Sequence, residues 1–185
     1  MIAKVALDKQ KFSKGRLHMH RRVAESNFSY EHLPNLQFVG AELWRGGQPH
    51  SEGFIKLKEK GVKTIVNLRE EPNLIAGERA IVQELGLDYI SIPLRPFDIP
   101  DDQKVEQFLE LMKEAKAHSV FVHCLHGMDR TGLMCAIYRM SAHDWTFRDA
   151  YDEMLRFGFH EAFDNLRGVV VKHAKSWNKI PHDFE

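Results

Sequence analysis

The chain predicts an α/β domain built on a mostly parallel central sheet flanked by helices. Short apolar runs of strand length alternate with longer stretches whose apolar residues recur every three or four positions, and such alternation sets successive strands side by side in parallel. The run from Ser119 to His123 reads as a buried strand that stops at a glycine-containing loop, with a helical pattern starting directly after it. At 185 residues and 43% apolar composition, the chain has the size of one domain with a full core, and no second domain is visible.

Taken in order, residues 1–34 form a basic N-terminal arm and 35–185 the domain proper, the boundary falling at Pro34-Asn35. Residues 1–30 carry seven Lys/Arg against Asp8 and Glu25, so they are net +5 while the remainder is net −5. That arm, with His18 and His20, is either a solvated tail or a segment that recruits an anionic substrate or surface. Strands are expected over 37–45, 62–67, 87–92 and 119–123, and helices over 50–60, 75–86, 101–117, 131–143, 146–157 and 160–176. The third helix is marked by Pro100-Asp101-Asp102 ahead of Val105, Phe108, Leu109 and Met112, which puts acidic residues in its first turn. Leu133, Met134, Ile137 and Tyr138 give the fourth its apolar face.

The most informative stretch is His123-Cys-Leu-His-Gly-Met-Asp-Arg-Thr-Gly132, with five residues between Cys124 and Arg130. That gap lets the backbone curl until successive N–H groups face one oxyanion, while Arg130 offers a planar fork to the same oxygens. Gly127 permits the close turn, and Leu125, His126, Gly127 and Met128 line the bowl. Inward N–H groups, the following helix's N-terminus and Arg130 all favour negative charge, so the Cys124 thiol should titrate below its free value of about 8.5 and act as a thiolate nucleophile. Attack on phosphorus gives a cysteinyl-phosphate that water then hydrolyses. Thr131 is placed to hydrogen-bond the sulfur, and Arg130 to hold the equatorial oxygens. Ligands of such sheets bind at the strands' C-terminal ends, where Cys124 falls.

The segment HC-x5-R-T resembles the signature of the protein tyrosine phosphatase superfamily, in its compact dual-specificity-like branch. Leu43-Trp-Arg-Gly-Gly-Gln-Pro49 and Val62-Lys-Thr-Ile-Val-Asn-Leu-Arg69 extend the likeness to the small atypical phosphatases that act on inositol phosphates, across residues 36 to 175. The resemblance implies a proton donor on the loop Pro93-Leu-Arg-Pro-Phe-Asp-Ile-Pro100, where Asp98 is the candidate, because Asp101 and Asp102 are better explained as helix-start residues. Asp129, inside the bowl, departs from the usual tyrosine phosphatase pattern. It is either a second acid or water-positioning group, or a salt-bridge partner that orients Arg130. The resemblance also casts His123 as a buttress of the loop, while His126 could face substrate.

Arg45, Arg69 and Arg95 are candidate rim contacts or surface ion pairs, Arg69 preceding Glu70 and Glu71. Trp44, Phe97 and Phe157 read as core, as does Cys135. The expected activity is a metal-independent, cofactor-free phosphomonoesterase. Its best substrate would be a small polyanion, an inositol polyphosphate such as inositol hexakisphosphate, with phosphotyrosine in a peptide as the alternative. A silent phosphate-binding module would be expected to lack the cysteine or arginine, and a sulfurtransferase would not need Arg130 and Thr131. Eleven histidines lack metal-ligand spacing, so no metal is expected. No nucleic-acid partner is expected either, and oligomeric state is not readable. The two cysteines suit a reducing compartment, and no apolar run approaches a membrane span or a secretory core, so the expected location is cytoplasmic.

Overall fold

A computed structural model describes residues 31–40, 42–114 and 119–180. The expected basic arm falls almost wholly outside them. Its last residues, 31–34, belong to the body: Leu33 is fully buried, Gly47 donates to the Pro34 carbonyl at 2.7 Å and His50 to the His32 carbonyl at 3.1 Å.

The elements run β1 (Gln37–Gly40), β2 (Leu43–Gly46), α1 (Ser51–Glu59), β3 (Val62–Asn67), α2 (Pro72–Glu84), β4 (Asp88–Ser91), α3 (Asp102–Glu114), β5 (Ser119–His123), α4 (Asp129–Ala142), α5 (Phe147–Arg156) and α6 (Asp164–Ser176). The five strands lie in the order β1-β2-β5-β3-β4. β2, β5, β3 and β4 are mutually parallel, and β1 pairs antiparallel with β2 at the edge.

Four boundaries differ from the sequence reading. The strand expected over 37–45 is a hairpin folded back after Gly40, with a register irregularity between Phe38 and Gly40. α2 begins three residues early, at Pro72, whose fixed φ and missing N–H suit a helix's first turn. α4 begins at Asp129, directly on the loop, and α6 begins only at Asp164, leaving 157–163 as a connection.

Strand alternation sorts the core into two layers. Val120 and Val122 of β5 and Val66 of β3 face α3 to α6, whereas Phe121 and Ile65 face α1 and α2 with Phe54, Leu57 and Val82, joined by Val62, which a register irregularity before Thr64 puts on that side. α4 is buried along most of its length, from Arg130 through Tyr138, because it lies between the sheet and both α5 and α6. Such a helix is apolar all round rather than striped. Its first turn, at the C-terminal end of the central strand, is therefore held rigidly. Among the described residues no helix is long and apolar enough to cross a membrane.

Candidate active site

β5 delivers Cys124 to the floor of the loop 124–128, where it is only 3% exposed. Every carbonyl of this loop is engaged. That of Cys124 lies 3.3 Å from His123 Nδ1, and that of Leu125 accepts from the Gln48 N–H at 3.0 Å. The His126 carbonyl accepts from Asn35 Nδ2 at 3.5 Å, and the Gly127 carbonyl from Arg45 at 2.7 Å and Asn35 at 3.2 Å. The Met128 carbonyl accepts from the Gly132 N–H at 2.8 Å, within α4. In a planar trans peptide the C=O and the next N–H point opposite ways, so carbonyls drawn outward turn the N–H groups of 125–129 inward, into an anion-sized nest at the N-terminus of α4.

Gly127 is required for this geometry. Its φ is +72°, and a Cβ there would sit 2.4 Å from the Gly46 carbonyl carbon and 2.5 Å from the Gly47 nitrogen. The loop is thus stacked on the Arg45-Gly-Gly-Gln48 backbone with no room for a side chain.

Arg130 leaves the first turn of α4 and donates to Glu70, and at 3.1 Å to the Leu94 carbonyl. It thereby ties the 124–128 loop to the start of the 93–100 loop. Arg69 forms a fork with Glu71, at 2.6 and 3.1 Å, and also donates to Gln48 Oε1 at 3.0 Å. The Arg69 bond outweighs burial and holds the Glu71 carboxyl down to about 2.

Behind the loop, His123 is fully buried, stacked on Phe121, with Nε2 2.9 Å from Glu78 Oε1. Glu78, from α2, also accepts from Asn67 at 3.0 Å and from the Gln48 side chain. Burial pushes its carboxyl up, but the bonds from His123, Gln48 and Tyr89 and the charge of His123 prevail and hold it below the ordinary carboxylate range. This network locks β3, β5 and α2 together beneath Cys124.

Several expected site residues sit elsewhere than at the rim. Arg45 is 0% exposed. It lies under the loop with its guanidinium carbon 4.4 Å from the Phe157 ring centroid, because its bond to the Gly127 carbonyl draws it inward. Arg69 is also buried, its donors taken by Glu71 and Gln48. Of the three arginines only Arg95 is open to solvent, its side chain 76% exposed and 3.5 Å from Asp98. Asp98 is itself well exposed. Phe97, expected in the core, is 81% exposed, and Ile99 beside it 76%. Trp44 is half-buried against Phe38, and Phe157 is half-buried under Arg45. Cys135 lies in the core, where burial pushes its thiol up to about 11.

Asp129 does not orient Arg130. Its carboxylate accepts from the backbone N–H of His160 at 2.8 Å and faces His160 Nδ1 at 3.1 Å, while Glu70 takes the arginine. Thr131 is fully buried, and its hydroxyl has no hydrogen-bond partner among the described residues. His126 and Leu125 are exposed at the mouth. Nor is any group of three or more His, Cys, Asp or Glu side chains among the described residues placed to hold a metal ion.

Sequence reasoning missed Glu70 as the partner of Arg130, Glu78 as the anchor of His123, and Asn35, Asn67 and His160 altogether. Glu70 stood in view beside Arg69, but nothing in the spacing assigned it across 60 residues.

A central strand ending at the buried Cys124, a tightly turned loop leading into α4, and the mostly parallel sheet together match a compact phosphatase domain of the protein tyrosine phosphatase type. The chain belongs to the family described as DSP-PTPase phosphatase fused to NAD+ kinase, which residues 20–162 match. It is 28% identical over 130 residues to the dual specificity protein phosphatase TpbA of Pseudomonas aeruginosa, covering 70% of this chain and 57% of that one. A crystal structure of TpbA superimposes with a TM-score of 0.63 at 26% identity, covering 81% of this chain and 98% of that one. Inositol diphosphatase DSP5 of Arabidopsis thaliana is 27% identical over 150 residues, 72% of each chain.

Proposed function

We propose that this protein is a metal-independent phosphoric monoester hydrolase in which Cys124 is the nucleophile, Arg130 the phosphate clamp, and Asp98 the proton donor. The observation that carries the reading is the outward engagement of all five loop carbonyls around Cys124, which aims the loop N–H groups at one tetrahedral anion. The thiolate attacks phosphorus in line, the bond to the leaving oxygen breaks, and Asp98 gives its proton to that oxygen. Water then attacks the cysteinyl-phosphate, the P–S bond breaks and Asp98 takes back a proton, releasing inorganic phosphate. The unpartnered Thr131 hydroxyl is available to the departing sulfur. The Asp129 carboxylate is tied to His160, whereas Asp98 stands exposed on the loop beside the nucleophile.

For substrate, the leading reading is a single phosphate on an aromatic carrier, phosphotyrosine in a peptide. With Arg45 and Arg69 buried, the exposed rim near Asp98 offers Phe97 and Ile99, with Leu125 exposed on the nucleophile loop and the carboxylates Glu70 and Glu71 partly exposed. That is a poor seat for a polyanion and a good one for an aryl group. The name of TpbA agrees with it. The second reading is an inositol polyphosphate, which Arg95 and the exposed His126 and His160 favour, together with the likeness to a plant inositol diphosphatase.

Phosphate release from phosphotyrosine and phosphoserine peptides, inositol hexakisphosphate and an inositol pyrophosphate distinguishes the two, with Cys124→Ser as the blank. Turnover fastest on phosphotyrosine peptide and absent in the variant is the expected result. Turnover only on inositol phosphates moves the protein to the second reading, and activity surviving in Cys124→Ser rejects the covalent mechanism.

A further inference from the structure

We propose that Asn165, in the first turn of α6, is a positioning residue that holds the proton-donor loop in its working place over the nucleophile loop. The inference rests on Asp98 as the acid. Asn165 Nδ2 donates to the Pro96 carbonyl at 2.9 Å and to the Asp98 carbonyl at 2.7 Å. An amide nitrogen carries two hydrogens, so both are committed, and they grip the chain on either side of Phe97. The grip falls on the backbone of the very residue whose carboxyl must meet the leaving oxygen.

The rest of this region shows why such a grip is needed. The loop's first residues are secured: the Leu94 N–H donates to the Leu68 carbonyl at 3.1 Å, the Leu94 carbonyl accepts from Arg130 at 3.1 Å, and Lys104 reaches the Pro93 carbonyl. The tip is not secured by burial, since Phe97 and Ile99 are 81% and 76% exposed. A tip with its large apolar side chains mostly in solvent has little packing to fix it. Asn165 supplies the hold instead, assisted by Phe163, whose ring lies 5.6 Å from that of Phe97.

The same short segment also grips the other half of the site. His160, five residues before Asn165, bonds the Asp129 carboxylate through its backbone N–H at 2.8 Å, and Asp129 adjoins Arg130. Residues 160–165 therefore bridge the two loops, one end on the nucleophile loop and the other on the acid loop. They add a second tie between the two loops, beside the bond from Arg130 to the Leu94 carbonyl, from a segment with no reacting group of its own.

The consequence is specific. Loss of the two bonds frees the tip without disturbing the nest, so Asp98 is delivered to the leaving oxygen less often, while phosphate binding and attack are untouched. In the first step, a substrate whose leaving group needs no proton should not notice. We expect Asn165→Ala to lower kcat/KM, which reports the steps up to the cysteinyl-phosphate, roughly tenfold on phenyl phosphate, a fraction of what a general acid contributes, and to leave kcat/KM on dinitrophenyl phosphate within about twofold.

The decisive measurement is kcat/KM on both esters for the wild-type chain, Asn165→Ala, Asp98→Asn and the double variant. Because Asn165 acts through Asp98, the double variant should be no slower than Asp98→Asn alone. Asn165→Asp, which keeps the side chain's shape but removes both donors, should repeat the pattern and serves if Asn165→Ala does not fold. Equal loss on both esters, or additive losses in the double variant, would overturn the role of Asn165. Leaving-group dependence in Asp98→Asn but not in Asn165→Ala rejects this inference alone. Its absence in Asp98→Asn rejects the assignment of the acid, and this inference with it.

Discussion

Arg130 and Glu70 form an ion pair at the mouth of the loop, through the same guanidinium nitrogen that holds the Leu94 carbonyl. The arginine expected to clamp phosphate is thus held by a carboxylate, so a phosphate dianion has to compete with Glu70 for it. Glu70→Gln should tighten inhibition by inorganic phosphate or vanadate roughly two- to fivefold, the range expected of a partly exposed pair. A competition assay at fixed substrate reads this directly, and weaker inhibition would mean that Glu70 aligns Arg130 for the ligand.

The buried arginines should behave unlike the exposed one. Arg69→Ala strands Glu71 and Gln48 and should cost about 2 kcal/mol of stability, with equal loss of activity on aryl and inositol phosphates. Arg95→Ala should leave stability unchanged and raise KM only for a substrate with several phosphates. Thermal unfolding together with KM on the two substrate classes separates these outcomes.

Gly127→Ala introduces a Cβ 2.4 Å from backbone carbon at a φ of +72°. The loop must shift to admit it. Because displacement of about 1 Å can cost on the order of a hundredfold in rate, kcat should fall by about that factor on every substrate, whatever its leaving group.

Acid should weaken the fold partly through Glu78 and Glu71. Both carboxyls are held below the ordinary glutamate value in the folded chain, Glu71 at about 2. The unfolded chain then binds more protons, so their stabilisation is complete above about pH 4.5 and drains away as pH falls through the folded values. Glu78→Gln should flatten the Glu78 share of that decline in urea midpoints taken across the window. Glu78→Ala, which also leaves His123 without its partner, should cost about 3 kcal/mol at neutral pH.

Much of this was legible along the chain. Strand and helix alternation, the junction at Cys124, the glycine turn at 127 and the burial of Cys135 are local or periodic properties, recorded in neighbouring residues. The pairing of Arg69 with Glu71 was visible as a possibility for the same reason, since they lie two positions apart. The hairpin at 37–46 was missed because a bend after Gly40 leaves the apolar pattern unbroken.

What the sequence by itself determined is the loop between Cys124 and Arg130 and the class of sheet that presents it, since both follow from spacing within a few tens of residues. Tertiary structure alone decided which charges face solvent: Arg45 and Arg69 turn inward, Glu70 crosses 60 residues to Arg130, and Asn165 reaches back 67 to Asp98. The physical reason is that a long polar side chain has no periodic signature of its own. Where it points depends on which buried carbonyl or carboxylate the folded chain leaves in need of a partner, and that need exists only after the strands and helices have met.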